Sequence, residues 1–110
     1  MAAPPTLGEF EHIVLLAILR LGENAYGVTL RQEIQERTDR HPSPGALYIT
    51  VDRLENKGFV SSRFGDPTPQ RGGRAKRFYR VRPAGSKAVE RAEAAFVALG
   101  RMLGRDPGRS

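Results

Sequence analysis

The chain has no cysteine, which excludes disulfide bridges and thiolate metal sites. It has no tryptophan, and its aromatic residues are five phenylalanines and three tyrosines. No uninterrupted apolar run approaches the ~20 residues that a membrane-spanning helix needs. The opening MAAPPT lacks a basic segment followed by an apolar core, so no signal peptide is expected and the cytoplasm is the expected location. Neither histidine, His12 or His41, has a partner histidine or an acidic cluster at metal-ligand spacing. The serines fall in caps and strands, and the GxxxxGKS/T phosphate loop is missing. Together these absences argue against an enzyme, and the sequence leads us to expect neither cofactor nor metal.

What is present is positive charge in one place. At 110 residues the chain reads as one small domain. A chain of this size buries only about two-thirds of its unfolded surface, so the core is modest. The formal charge is +6, but it is unevenly spread. Arg40 to Arg82 holds ten basic and three acidic residues, a net of +7, whereas the remainder holds eight basic and nine acidic, a net of −1. A basic region confined to one segment points to a polyanionic partner more strongly than an evenly basic surface would. The competing explanation is a merely solvated face.

Apolar periodicity divides the chain. Leu7 to Leu21 is predicted as a helix with Phe10, Val14, Ala17 and Leu21 on one stripe, widened by Ile13, Leu16 and Ile18. Gly22 ends it. Ala25 to Thr38 is predicted as a second helix on Tyr26, Leu30 and Ile34, with Gly27 expected to let another backbone approach. Ser43 to Gly58 is a third. Ser43 can cap it, Pro44 suits the first helical position, Gly58 can end it, and Leu47, Val51 and Leu54 form its buried stripe. Two helices joined by a short connection fit a helix-turn-helix.

After Gly58 the period changes to two. Phe59 to Phe64 and Lys76 to Arg82 read as strands, separated by a loop rich in proline and glycine, GDPTPQRGGRA. A hairpin with a long basic tip after a helix-turn-helix describes a winged helix. The fold class expected is therefore mostly α, with a small β-hairpin wing and a long C-terminal helix. That last helix, Pro83 to Leu103, carries Val89, Ala92, Phe96, Leu99 and Leu103 at spacings of three and four, the pattern of a coiled-coil seam. A second copy of the same helix is the expected cover, giving a homodimer; the alternative is folding back along the first helix within a monomer. The expected organisation is 1–82 as a winged helix-turn-helix DNA-binding unit with residues 1–6 as a flexible leader, 83–104 as a dimerisation helix and 105–110 as a frayed tail.

The third helix has the size and polarity to enter a DNA major groove. Gly45 and Ala46 allow close approach, Tyr48 and Thr50 can bond phosphate, and Arg53 can reach guanine or phosphate. Ser43 brings the helix N-terminus near phosphate. Ile49 shares this face, although a core or interface role suits it almost equally. Asp52 would repel phosphate unless it accepts from a cytosine amino group or restrains Arg53. In the wing, Arg71, Gly72, Gly73, Arg74, Lys76 and Arg77 are expected along the backbone or in the adjacent minor groove.

Several pieces then combine in order over nearly the whole chain. They are Ala25-Tyr26-Gly27 after an apolar helix, the run Leu47, Tyr48, Arg53, Leu54, Glu55, Lys57, Gly58, Val60, then Gly72-Gly73-Arg74, and finally Phe78-Tyr79-Arg80 leading to Gly85. As a set they resemble the PadR family of bacterial winged-helix transcriptional regulators, in the short form with a single C-terminal helix. The resemblance implies a dimeric repressor that binds a palindromic operator in double-stranded DNA. In some members a small aromatic or drug-like effector binds at the dimer interface and relieves repression. Ile49 stands where the family usually has proline, Val51 where it usually has leucine, and Arg82 where threonine is common. The missing tryptophan removes a stacking pair that some drug-binding members use. Two other readings stay open: a winged-helix protein-interaction module, and a regulator that binds DNA only with an effector.

Overall fold

In a computed structural model, residues 6–65 and 75–102 are described, with backbone alone for 101 and 102. Helix α1 (Glu9–Leu21) starts where Glu11 turns back on its own cap, the Gly8 N–H donating to Glu11 Oε1 at 2.7 Å. It stops at Gly22, whose φ of 58° lies in the left-handed region that favours glycine. Helix α2 (Gly27–Arg37) lacks a polar cap side chain, and Thr29 substitutes. Its hydroxyl accepts from the Tyr26 N–H at 3.1 Å and donates to the Asn24 carbonyl at 2.5 Å.

Helix α3 (Pro44–Asn56) is capped as its sequence predicts, the Ser43 hydroxyl accepting from the Ala46 N–H at 3.1 Å. At its other end Gly58 adopts φ 78°. The Gly58 N–H donates to the Glu55 carbonyl at 2.9 Å and the Phe59 N–H to the Leu54 carbonyl at 3.0 Å, the paired bonds of a Schellman motif. The chain leaves this turn directly into strand β1 (Val60–Phe64), which pairs antiparallel with β2 (Arg77–Val81) in the register Val60–Val81, Ser62–Tyr79, Phe64–Arg77. The hairpin is anchored to the helices by one further rung. Tyr26 bridges Phe78, and the Tyr79 N–H donates to the Ala25 carbonyl at 2.9 Å. Helix α4 (Pro83–Met102) completes the order.

This is the expected class, mostly helical with a two-stranded hairpin and a long C-terminal helix. Each described boundary falls within two residues of its predicted position. Residues 1–5 of the expected leader, the Arg71–Arg74 stretch of the basic loop, and Leu103 with the tail lie outside the described residues.

The core joins all the elements: Val14, Leu15 and Ile18 of α1, Leu30 and Ile34 of α2, Leu47, Val51 and Leu54 of α3, Phe59, Val60 and Tyr79 around the hairpin, and Ala88 and Val89 of α4. In α1 the fully buried set is Val14, Leu15 and Ile18, whereas Phe10 and Leu21 of the predicted stripe are only partly covered. The close backbone approach expected at Gly27 is absent, since a Cβ there meets nothing within 4 Å. It occurs instead at Gly85, where a Cβ would lie 2.4 Å from the Phe59 carbonyl oxygen. Only glycine lets the first turn of α4 rest on that backbone, and this contact sets where α4 leaves the core.

Candidate nucleic-acid interface

The face of α3 opposite Leu47, Val51 and Leu54 carries Gly45, Ala46, Ile49, Asp52, Arg53 and Asn56, and all six are exposed. Ser43 at the helix start is exposed too. Ile49 is 59% exposed and Tyr48 53%, so two large side chains stand out from this helix with no core to enter. Thr50 does not join them. It is 7% exposed, and its hydroxyl donates to the Ala46 carbonyl one turn earlier at 2.9 Å. The physical reason is its place beside the buried stripe, three residues after Leu47 and four before Leu54. This corrects the expectation of a phosphate contact there: the hydroxyl already has a partner inside its own helix.

The root of the hairpin leans against this helix. Lys76 lies 4.4 Å from the centre of the Tyr26 ring, with its Nζ 3.5 Å from the Tyr26 hydroxyl. Arg77 reaches across to α3. Its Nη1 donates to the Tyr48 hydroxyl at 3.0 Å and lies 3.6 Å from Asp52 Oδ1, its Nη2 donates to Glu55, and its Nε donates to the Ser62 hydroxyl at 3.0 Å. The guanidinium also sits over the Tyr48 and Tyr79 rings, 5.5 and 5.4 Å from their centres. Partial burial works against its charge, but the Tyr48 hydroxyl, then Tyr79 and Glu55, outweigh burial and hold Arg77 above the ordinary guanidinium pKa. Burial likewise pushes the Tyr79 phenol up, despite the adjacent arginine. Between α2, α3 and β2 these groups flank an open cleft of about 340 Å³, lined by Tyr26, Val28, Leu47, Tyr48, Lys76 and Tyr79 among others.

The sequence reading thus missed Glu55, Ser62 and Tyr79 as parts of the site; of the two roles it left open for Asp52, reading a cytosine or restraining Arg53, neither names the neighbour it has, which is Arg77. The available signal was the spacing of Tyr48, Asp52 and Glu55, four and three apart, which aligns them on one edge of α3. Of the wing residues expected at DNA, Lys76 and Arg77 are half-buried at its root, and Arg71, Gly72, Gly73 and Arg74 fall outside the described residues.

The C-terminal seam divides in two. Val89, expected in the dimer seam, is instead buried in the chain's own core with Ala88, because Gly85 seats the first turns of α4 against it. Ala92 is half-buried. Phe96 and Leu99 are 68% and 60% exposed. Phe96 stacks against His12 of α1, ring centres 6.3 Å apart, so α4 does run over α1 but leaves its distal apolar residues uncovered.

Residues 15–91, well over half the chain, match the Transcriptional regulator PadR-like family. The chain belongs to that family. Its members are transcriptional regulators and not enzymes, in keeping with the sequence reading. This PadR-like chain is 40% identical over 78 residues to Transcriptional regulator Rv3488 of Mycobacterium tuberculosis, covering 69% of this chain and 66% of that protein's length. Among solved structures, a PadR family transcription regulator from Clostridium difficile R20291 is similar at a TM-score of 0.69 and 19% identity, covering 86% of this chain and 95% of that one. A padr family transcriptional regulator from Eggerthella lenta matches at a TM-score of 0.67 and 24% identity, covering 87% and 83%. These likenesses extend the PadR-like assignment to the winged-helix fold. Among the described residues no helix is long and apolar enough to cross a membrane.

Proposed function

We propose that the chain binds double-stranded DNA as a homodimer and represses transcription from a palindromic operator. In this reading α3 enters the major groove with Gly45, Ala46, Ile49 and Arg53 toward the bases, Ser43 and Tyr48 meet phosphates, and the Arg71–Lys76 stretch follows the flanking backbone. The observation that carries it is the outward face of α3. A capped helix held from behind by Leu47, Val51 and Leu54 presents small, apolar, basic and, at Asp52, acidic side chains that stay exposed among the described residues. Exposed Phe96 and Leu99, on a helix already anchored at Val89, support pairing of two copies through the far half of α4. Two-fold symmetry then sets the half-sites about one helical turn, roughly 34 Å, apart.

Selection of bound DNA from a random pool, followed by mobility shifts across a salt series, tests this. A palindrome, and an affinity that falls steeply with salt, are the expected results. If the protein selects no sequence and shifts no duplex at low salt, and Arg53→Ala behaves as wild type, the interaction-module reading replaces this one. Repression is tested separately, by a reporter placed behind the selected sequence.

A further inference from the structure

The sequence groups Arg77 with the cations of the wing that meet DNA, but its surroundings give it other work. Four groups surround its guanidinium within the protein: Ser62 and Tyr48 hydroxyls at 3.0 Å each, the Glu55 carboxylate, and Asp52 at 3.6 Å. The Ser62 hydroxyl in turn donates to Glu55 at 3.0 Å, so the acceptor is itself fixed. Two carboxylates against one guanidinium leave the cluster with a net negative charge. Its side chain is only 21% exposed. Bonds to Ser62, Tyr48 and Glu55 engage three of its five N–H donors and Asp52 stands beside Nη1, so a phosphate would meet a guanidinium already largely committed within the protein.

The direction of the bond to Tyr48 matters. Arginine can only donate, so the Tyr48 oxygen is the acceptor. The phenol proton is then left to donate elsewhere. Tyr48 is exposed on α3 beside Ile49, and a phosphate oxygen is an acceptor that takes such a proton. A cationic donor on the phenol oxygen also polarises its O–H and strengthens the bond it makes outward.

We propose that Arg77 is a positioning residue that acts on DNA through the Tyr48 hydroxyl, its own charge being balanced inside the protein by Glu55 and Asp52. The proposal rests on the DNA-binding reading above. It also gives Asp52 a role: the acid on the groove side of α3 is a counterion to Arg77, held 3.6 Å away.

The test uses fluorescence anisotropy of the full chain with a labelled duplex of about 30 base pairs of arbitrary sequence, some three turns of DNA. Salt is varied between roughly 50 and 200 mM. Tyr48→Phe and Arg77→Gln should each weaken binding about tenfold or more, the size of one charge-assisted hydrogen bond. The double variant should bind no more weakly than either single one. Neither should change the slope of log affinity against log salt, whereas Arg53→Ala should reduce it by about 1. Arg77→Lys should not restore full affinity, because one ammonium cannot serve Ser62, Tyr48 and Glu55 together.

A slope reduced by about 1 in Arg77→Gln would show direct phosphate neutralisation and overturn the proposal. So would losses that multiply in the double variant. If Arg77→Gln fails to fold, Glu55→Gln with Ser62→Ala keeps the arginine but frees it. That variant should lose about two- to threefold in affinity at an unchanged slope, and a steeper slope or full affinity would refute the relay. A wild-type chain that binds no duplex at low salt overturns the DNA-binding reading itself, a result distinct from either of these.

Discussion

Replacing Gly85 with alanine adds one methyl group where the fold has no room for it. The new Cβ would lie 2.4 Å from the Phe59 carbonyl oxygen, 2.9 Å from Val81 Cγ1 and 3.1 Å from the Phe59 carbonyl carbon. Ordinary contacts begin near ~3.5 Å, so a gap of roughly 1 Å must open. The carbonyl cannot simply retreat, because it accepts the Arg82 N–H at 2.8 Å and belongs to a buried residue. Overpacking of this kind costs about 1–3 kcal/mol, and a backbone obstacle places it in the upper part of that range. Alanine recovers at most about 1 kcal/mol through helix propensity. The net loss is about 2 kcal/mol, or roughly 10 °C in melting temperature for a domain of this size. The assay is thermal unfolding by circular dichroism at a fixed protein concentration, since association shifts the midpoint. Gly27→Ala is the matched control, because its Cβ meets nothing within 4 Å, and it should stay within about 0.5 kcal/mol of wild type. If Gly85→Ala melts with Gly27→Ala, α4 is not seated on the Phe59 backbone.

Lys57 donates to buried Glu11 at 2.7 Å, so Lys57→Met should cost roughly 2–3 kcal/mol at neutral pH, read from urea midpoints. Burial raises the Glu11 carboxyl, but Lys57, the Gly8 N–H and Arg53 together hold it below its ordinary value. A lowered folded pKa stabilises at neutral pH and loses that contribution as pH falls from the ordinary glutamate range through it, so the gap between wild type and Lys57→Met should shrink progressively in acid; a gap undiminished by acid would contradict the pairing. Phe96→Glu changes a side chain that is already exposed, so the fold should survive; on the proposed pairing through α4, sedimentation should show self-association weakened by roughly 100-fold, about 3 kcal/mol, and unchanged sedimentation would refute that pairing. Thr50→Val should leave DNA affinity within about twofold, because its hydroxyl is committed to the Ala46 carbonyl. A tenfold loss in the folded variant would return Thr50 to the phosphate-contacting set.

Much of this fold is legible along the chain because its signals are local. Ser43 with Pro44, Gly22 and Gly58 are caps and stops that depend on a few neighbouring residues, and the structure uses all of them. The burial of Thr50 was also within reach, since helical arithmetic puts it beside Leu47 and Leu54; its hydroxyl suggested the surface instead. What the sequence does not carry is pairing at long range. Tyr26 from the start of α2 meets Phe78 of β2, Gly85 meets Phe59, and Arg77 meets Tyr48 and Glu55, and each joins segments whose separation in the chain leaves no periodic trace. The motif pieces that carry the family resemblance include these residues without saying which of them touch.

The distribution of charge changes most between chain and fold. By sequence, Arg40 to Arg82 holds ten cations. Among the described residues, folding brings acids to three of them: Glu9 to Arg40, Glu11 to Lys57, and Glu55 with Asp52 to Arg77. Glu9 and Glu11 come from outside the basic stretch, so the first turn of α1 supplies counterions to residues 31 and 46 positions away. The surface field is therefore narrower than the composition suggests. Arg53 of α3 carries no ion pair to any of the described residues, and it stands on the same exposed face as Gly45 and Ile49. Internal pairing of Lys57 and Arg77 serves a different end, since one fixes the start of α1 against the end of α3 and the other fixes the hairpin against its edge. On the DNA-binding reading, these paired cations hold the reading helix at one angle to the wing. The attraction to phosphate then falls to the cations that the fold leaves outside such pairs.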